Sequence, residues 1–230
     1  MAARVEHHLP IALIAGALVV AMLALSVATG AADGIDRTVI DIVRSDALRD
    51  ALAPLRYATE LGATWAVTMI AVFVLFVGFL VRRPWLGVAA SATILLASIG
   101  NSLLKLGFAR ARPDLLDPIV VEHGFSFPSG HAMLSMVAYG LVAVLVTRSP
   151  VARWAKRAAL VLLGIAVLSV GVSRVYLGVH YATDVLAGWI IGLMIVLVFA
   201  RVSRAVSRSP AAGAADVDPA ARRSDPPGPA

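Results

Sequence analysis

Six stretches of this chain, at about 9–27, 64–81, 85–106, 131–147, 158–174 and 184–200, are apolar enough and long enough to cross a lipid bilayer. Crossing takes about 20 mostly apolar residues for a hydrocarbon core of about 30 Å. Inside that core the backbone must satisfy its own hydrogen bonds, so each run is expected to be a helix. Composition agrees. Of 230 residues, 60% are hydrophobic and 15% charged, and the mean hydropathy of +0.87 is far above that of a soluble domain. The expected fold is all-α: a polytopic membrane bundle of six transmembrane helices with both termini on one side.

Basic residues orient this bundle. Arg82 and Arg83, then Arg148, Arg153, Lys156 and Arg157, then Arg201, Arg204 and Arg208 all fall on one side. Lys and Arg in short loops are retained in the cytoplasm, so that side is expected to be cytosolic and the other to face outward. The net charge of +6 does not point to nucleic acid, because the arginines flank apolar stretches instead of forming a continuous basic face. With no cysteine, disulfides, thiolate nucleophiles and cysteine metal sites are excluded. The first span has a rival reading as a secretory signal, given Arg4, His7 and His8 before it and small residues near 28–32, but its apolar run is longer than a signal core.

We expect residues 1–200 to form one membrane domain. Within it, 28–63 is an outer-face segment in which Val39, Val43, Ala47, Leu48, Leu52 and Leu55 recur at helical spacing, as in an amphipathic helix lying on the surface. Its expected role is that of a solvated connector, with a lid or lipid-entry role the alternative. Residues 201–230, rich in Ser, Ala, Arg, Pro and Gly, bury too little apolar area to offset ordering entropy and are expected to be a disordered cytoplasmic tail.

Three polar clusters interrupt the oily chain, all on the predicted outer side. The first is Lys105 with Arg112-Pro113; on a continuous helix, two turns apart, both cations would share a face, with Arg110 pointing elsewhere and Pro113 ending the helix. Mid-bilayer charges cost roughly 2.5–3.5 kcal/mol each, which places the pair at the rim or in a wet pocket. Two snorkelling anchors would satisfy the same pattern. The second is Pro128-Ser129-Gly130-His131, just before an apolar run. It puts Ser129, Gly130 and unpaired amides at the positive end of a helix, a seat for an anion, and gives His131 a pKa suited to general-acid work. A plain helix cap is the alternative.

The third is Ser173-Arg174 followed by His180 and Asp184. Four residues apart, His180 and Asp184 meet on one helix face, where the carboxylate can fix the tautomer and leave the other ring nitrogen as a nucleophile. A His–Asp pair that only staples helices is the competing reading. The three clusters together supply three fixed cations, two imidazoles and a carboxylate, an inventory for attacking phosphorus without a metal. No glycine-rich nucleotide loop is present, and no cofactor is expected.

The spacings Lys105-x6-Arg112-Pro113, Pro128-Ser129-Gly130-His131 and Ser173-Arg174-x5-His180-x3-Asp184 resemble the complete signature of the type-2 phosphatidic acid phosphatase superfamily over about 61–200. That superfamily includes membrane lipid phosphate phosphatases, bacterial polyprenyl-pyrophosphate phosphatases and soluble vanadium haloperoxidases. The resemblance implies that His180 attacks phosphorus to form a phosphohistidine, that Asp184 orients it and that His131 protonates the leaving group. It also implies that Lys105, Arg112, Ser129, Gly130 and Arg174 hold the phosphoryl oxygens. The expected partner is a lipid phosphate or pyrophosphate in the bilayer: polyprenyl pyrophosphate, favoured by a small, bacterial-looking membrane protein, or phosphatidic acid or phosphatidylglycerophosphate. A lipid-linked phosphotransferase and a nonenzymatic phospholipid transporter are the alternatives. Oligomeric state is not encoded legibly.

Overall fold

The computed structural model describes residues 2–115 and 119–208. Its helices are α1 (Ala2–Ala28), α2 (Asp33–Val43), α3 (Asp46–Leu52), α4 (Leu55–Ala58), α5 (Thr64–Leu80), α6 (Pro84–Phe108), α7 (Gly130–Arg148), α8 (Arg153–Tyr176) and α9 (Ala182–Arg208). A 3-10 turn, Thr59–Gly62, joins α4 to α5. Among the described residues five helices are long and apolar enough to cross a membrane: α1, α6, α7, α8 and α9. α5 joins them as a sixth when taken with the segment Asp50–Gly62, from which it bends by 50°. With that bent pair counted as one span the expected six are reached, and the chain is an integral membrane protein.

The bundle core is small and aliphatic. Val67 and Val74 of α5, Ala90, Ile94 and Ala97 of α6, Met133, Val137 and Leu141 of α7 and Phe199 of α9 form one buried cluster. Large apolar side chains such as Phe73, Phe76, Leu96 and Leu162 are exposed on the outside, as a lipid-facing surface requires. With lipid on that face, helix association depends on close packing, and glycines supply it. A Cβ on Gly78 would lie 2.7 Å from the Gly87 Cα, so α5 and α6 touch backbone to backbone. On α9, a Cβ at Gly188 would lie 2.7 Å from the Ser129 carbonyl and one at Gly192 2.8 Å from that of Met133. These two glycines let α9 lie directly on the first turns of α7.

Three expectations need correction. The segment 28–63 is not one amphipathic surface helix; it breaks into α2, α3, α4 and the 3-10 turn. Nor is it a mere connector. Asp36 of α2 is fully buried against α9, accepting from Thr183 N at 3.0 Å and from the Thr183 hydroxyl at 2.6 Å. Finally, α9 continues through Arg208 instead of ending near 200. Its Ser203 returns its hydroxyl to Phe199 O at 2.6 Å, and Arg148 donates to Ala200 O and the Ser203 hydroxyl, which holds the helix together past the apolar run. The rest of the expected tail, 209–230, lies outside the described residues.

Candidate active site

The ends of α6 and α8 and the starts of α7 and α9 meet at one end of the bundle, and the loop between α6 and α7 crosses over them. Between α8 and α9 the chain reverses through Gly178, whose φ is +72° and where a Cβ would lie 2.3 Å from Leu115. That reversal sets His180 beside Asp184, with Nδ1 3.3 Å from Oδ2 and both side chains buried. Asp184 Oδ2 also accepts from Tyr181 N at 2.9 Å and from the Ser126 hydroxyl, while Oδ1 accepts from Arg110 Nη1 at 2.6 Å.

The other ring nitrogen, Nε2, lies 3.3 Å from Arg112 Nη1. A guanidinium offers only donors, so Nε2 is the acceptor and carries its lone pair, while Nδ1 holds the proton toward Asp184. Burial lowers the His180 pKa to about 4 despite the opposing pull of Asp184. The imidazole is therefore neutral at physiological pH.

Lys105, Arg112 and Arg174 reach the same region by different routes. Lys105 and Arg112 do not share a helix face. α6 ends at Phe108, and Ala109 turns left-handed with φ +48°, its N–H donating to Lys105 O. The turn is fixed from outside the helix, because Ser126 N donates to Arg110 O at 2.8 Å. Arg112 thus arrives on the loop, donating to Val179 O at 2.8 Å as well as facing His180. Arg174, the largest fully buried side chain, donates to the Thr59 hydroxyl at 2.6 Å and pairs with Glu122. Its buried Nε has no partner among the described residues.

Gly130 opens α7 and Ser129 is its N-cap, accepting from Ala132 N at 3.5 Å. The Ser129 N–H is not free for an anion, because it donates to Asp184 O at 3.0 Å. A Cβ on Gly130 would lie 2.8 Å from the Asn101 amide, so a side chain there would have to displace Asn101. His131 follows in the first turn, and its ring is backed by Gly62, where a Cβ would lie 3.3 Å from the imidazole. Charges on Arg174, Glu122, His180 and Lys105 all act on it. Ser173 stands apart; it is buried and returns its hydroxyl to Val170 O at 2.6 Å.

Four participants escape the sequence pattern. Arg110 bridges Asp184 and Asp36, with Nη2 2.8 Å from Asp36 Oδ2, and stacks over the Tyr181 ring at 4.0 Å. Its place inside the Lys105–Arg112 interval was the one available hint. Asp36 lay in an apparently solvated segment, Ser126 in a loop without periodicity. Glu122, in the same loop, pairs with both Arg112 and Arg174. Among the described residues no group of three or more His, Asp or Glu side chains is placed to hold a metal ion.

Comparison with known proteins identifies the family. Residues 86–208 match the PAP2 superfamily. Phosphatidylglycerophosphatase B of Bacillus subtilis is 33% identical over 178 residues, 76% of this chain and 86% of that one. An undecaprenyl-diphosphatase of Sulfolobus acidocaldarius is 37% identical over 120 residues, 48% of this chain and 52% of its own. The crystal structure of the transmembrane PAP2-type phosphatidylglycerolphosphate phosphatase from Bacillus subtilis superposes with a TM-score of 0.73 at 30% identity, covering 85% of this chain and 98% of that one. Six crossing helices, a glycine-packed bundle and the three signature clusters meeting at one end thus have a common explanation: the chain belongs to the PAP2 superfamily of lipid phosphatases and is an enzyme of that class.

Proposed function

We propose that this phosphatase hydrolyses a lipid phosphate or pyrophosphate through a phosphohistidine at His180, with phosphatidylglycerophosphate the first substrate to test and phosphatidic acid and polyprenyl pyrophosphate after it. One observation carries this reading. The lone-pair nitrogen of a neutral, buried imidazole opens onto Arg112, and Arg112 and Arg174 meet at a single carboxylate, so nucleophile and anion-binding groups serve one small volume. The order of substrates follows the relative that matches over most of both chains.

In this mechanism His180 Nε2 attacks phosphorus while Asp184 holds the Nδ1 proton and stabilises the charge that develops on the ring. Lys105, Arg112, Arg174 and the Gly130 amide at the head of α7 hold the equatorial oxygens where negative charge spreads. Ser129 serves mainly by capping α7. His131, across the site, protonates the departing oxygen, a lipid alkoxide from a monoester or a lipid phosphate from a pyrophosphate, and then activates the water that cleaves the P–N bond, releasing orthophosphate. No metal or cofactor is assigned a role. The lipid has a place to rest: an apolar groove of about 830 Å³ between α1, α6 and α9 runs past Thr93, Leu104 and Ile195 to Phe108. There the Phe108 ring packs edge-on at 4.9 Å against Phe127, the residue before the Pro128-Ser129-Gly130-His131 turn.

The distribution of basic residues supports an outward-facing site in a bacterial cytoplasmic membrane. The test is phosphate release from the three lipids by purified protein, with and without chelator, for the parent and His180→Ala. Orthophosphate should be the main product, turnover should persist in chelator, orthovanadate should inhibit, and His180→Ala should lose roughly 10³-fold or more. Parent-level turnover by His180→Ala would overturn the mechanism, and transfer to an acceptor in place of orthophosphate would make the protein a transferase.

A further inference from the structure

The cations proposed to bind phosphate already hold an anion. The Glu122 carboxylate bridges Arg174 and Arg112, with Oε2 3.1 Å from Arg112 Nη1. The residues after it extend the occupation: His123 O and Gly124 O accept from Arg112 at 3.2 and 3.1 Å, and Phe125 O accepts from Lys105 Nζ at 2.5 Å. One short segment therefore takes up donors from all three cations. Neither Arg112 nor Arg174 pairs with any other carboxylate among the described residues. Burial would raise the Glu122 pKa, but Arg174, then Arg112 and His131, outweigh it and bring it down to about 2, so the group is ionised.

The segment also lies at the surface. Val121, His123 and Gly124 are exposed, and Gly124 has φ +80° with open space around it. A carboxylate and a phosphate offer guanidinium groups the same paired acceptor oxygens, so each can replace the other without rebuilding the site.

We propose that Glu122 is a specificity-determining residue: its carboxylate occupies the phosphate seat of the resting enzyme and must be displaced, which selects membrane-held phosphate esters over free phosphate anions. This rests on the phosphatase reading above. A free anion gains only charge-assisted hydrogen bonds similar to those it displaces. An ester anchored in the bilayer is presented at high effective concentration, with its phosphate confined near the site, and so overcomes the same competition. After hydrolysis orthophosphate has no anchor, and the return of Glu122 favours its departure.

The experiment compares the full-length parent with Glu122→Gln in detergent micelles, measuring inhibition of phosphatidylglycerophosphate hydrolysis by orthophosphate and orthovanadate. Removing the competing charge should tighten both inhibitors by about tenfold or more, the scale of one lost charge-assisted contact. If Glu122 only braces the arginines, Glu122→Gln will leave the inhibition constants unchanged or weaken them, and the proposal falls. A second measurement uses the parent alone, so that it survives a variant that folds poorly. Cleavage after Glu122 by a glutamate-specific protease should quicken when orthovanadate is added, because the displaced carboxylate becomes accessible; unchanged or slowed cleavage overturns displacement. Absence of lipid phosphate hydrolysis by the parent would strike the phosphatase reading, whereas hydrolysis with inhibition insensitive to Glu122→Gln strikes this inference alone.

Discussion

Arg110 lies 2.6 Å from the Asp184 carboxylate, on the oxygen that does not face His180. Through its other nitrogen it reaches Asp36, so the carboxylate that steadies the imidazole is itself steadied from α2. Arg110 is a positioning residue in this arrangement, acting on His180 through Asp184.

Arg110→Leu is accordingly expected to lower kcat by roughly 10–100-fold with little change in KM, the usual scale for loss of an orienting partner. The pH profile separates this role from a structural one. Without Arg110, the Asp184 charge acts on His180 less opposed, the imidazolium is favoured and the acid limb of kcat/KM moves to higher pH. Asp36→Asn, which leaves the Arg110–Asp184 pair in place, should show a smaller change in both.

The parent profile follows from His180 itself. Its pKa is lowered by burial to about 4, and in the proposed mechanism it attacks with its lone pair, so kcat/KM should fall as pH drops through about 4. Stability moves the same way. The unfolded imidazole takes up a proton near its ordinary 6.5 while the folded one resists until about 4, so folding is penalised progressively below 6.5. Thermal melts of parent and His180→Ala between pH 4 and 7 should converge or cross at the acid end.

Two glycine substitutions test the packing. Gly188→Ala would press a methyl carbon to 2.7 Å from the Ser129 carbonyl, where α9 crosses the start of α7. A loss of roughly 1–3 kcal/mol in stability, together with lower activity, is expected in thermal melts and turnover assays. Gly164→Ala on α8 meets nothing within 4 Å and should leave both unchanged or slightly improved.

Orientation is accessible because the chain contains no cysteine. Asp41→Cys on α2 and Arg153→Cys at the start of α8 both place a thiol at an exposed position, at opposite ends of the bundle. In intact cells an impermeant maleimide should label the first and reach the second only after permeabilisation. The reverse pattern would turn the site toward the cytosol.

The spans and the signature clusters were legible because both are local: bilayer thickness fixes a run length, and helix geometry fixes which neighbours share a face. Where the sequence misled, a distant contact had overridden a local preference. Lys105 and Arg112 read as one helix face because Ala109 and Arg110 are ordinary helix residues, yet Ser126 N captures Arg110 O and breaks the helix there. That break also rotates Arg110 into the site. Asp36 lies in the segment read as a solvated connector, and its buried carboxylate is matched by partners far along the chain, Thr183, 147 positions on, and Arg110. Glu122 and Ser126 sit in a loop with no periodicity to assign their direction.

The matched superfamily region begins at residue 86, yet three of the contacts that shape the catalytic end come from before it: Asp36 on Arg110, Thr59 on Arg174 and Gly62 behind His131. The signature is therefore not portable as a cassette. A chimera that grafts residues 86–208 onto a relative's leading third would import every motif, but Arg110, Arg174 and His131 would keep their settings only where that third supplies an acid, a hydroxyl and a glycine at the matching places.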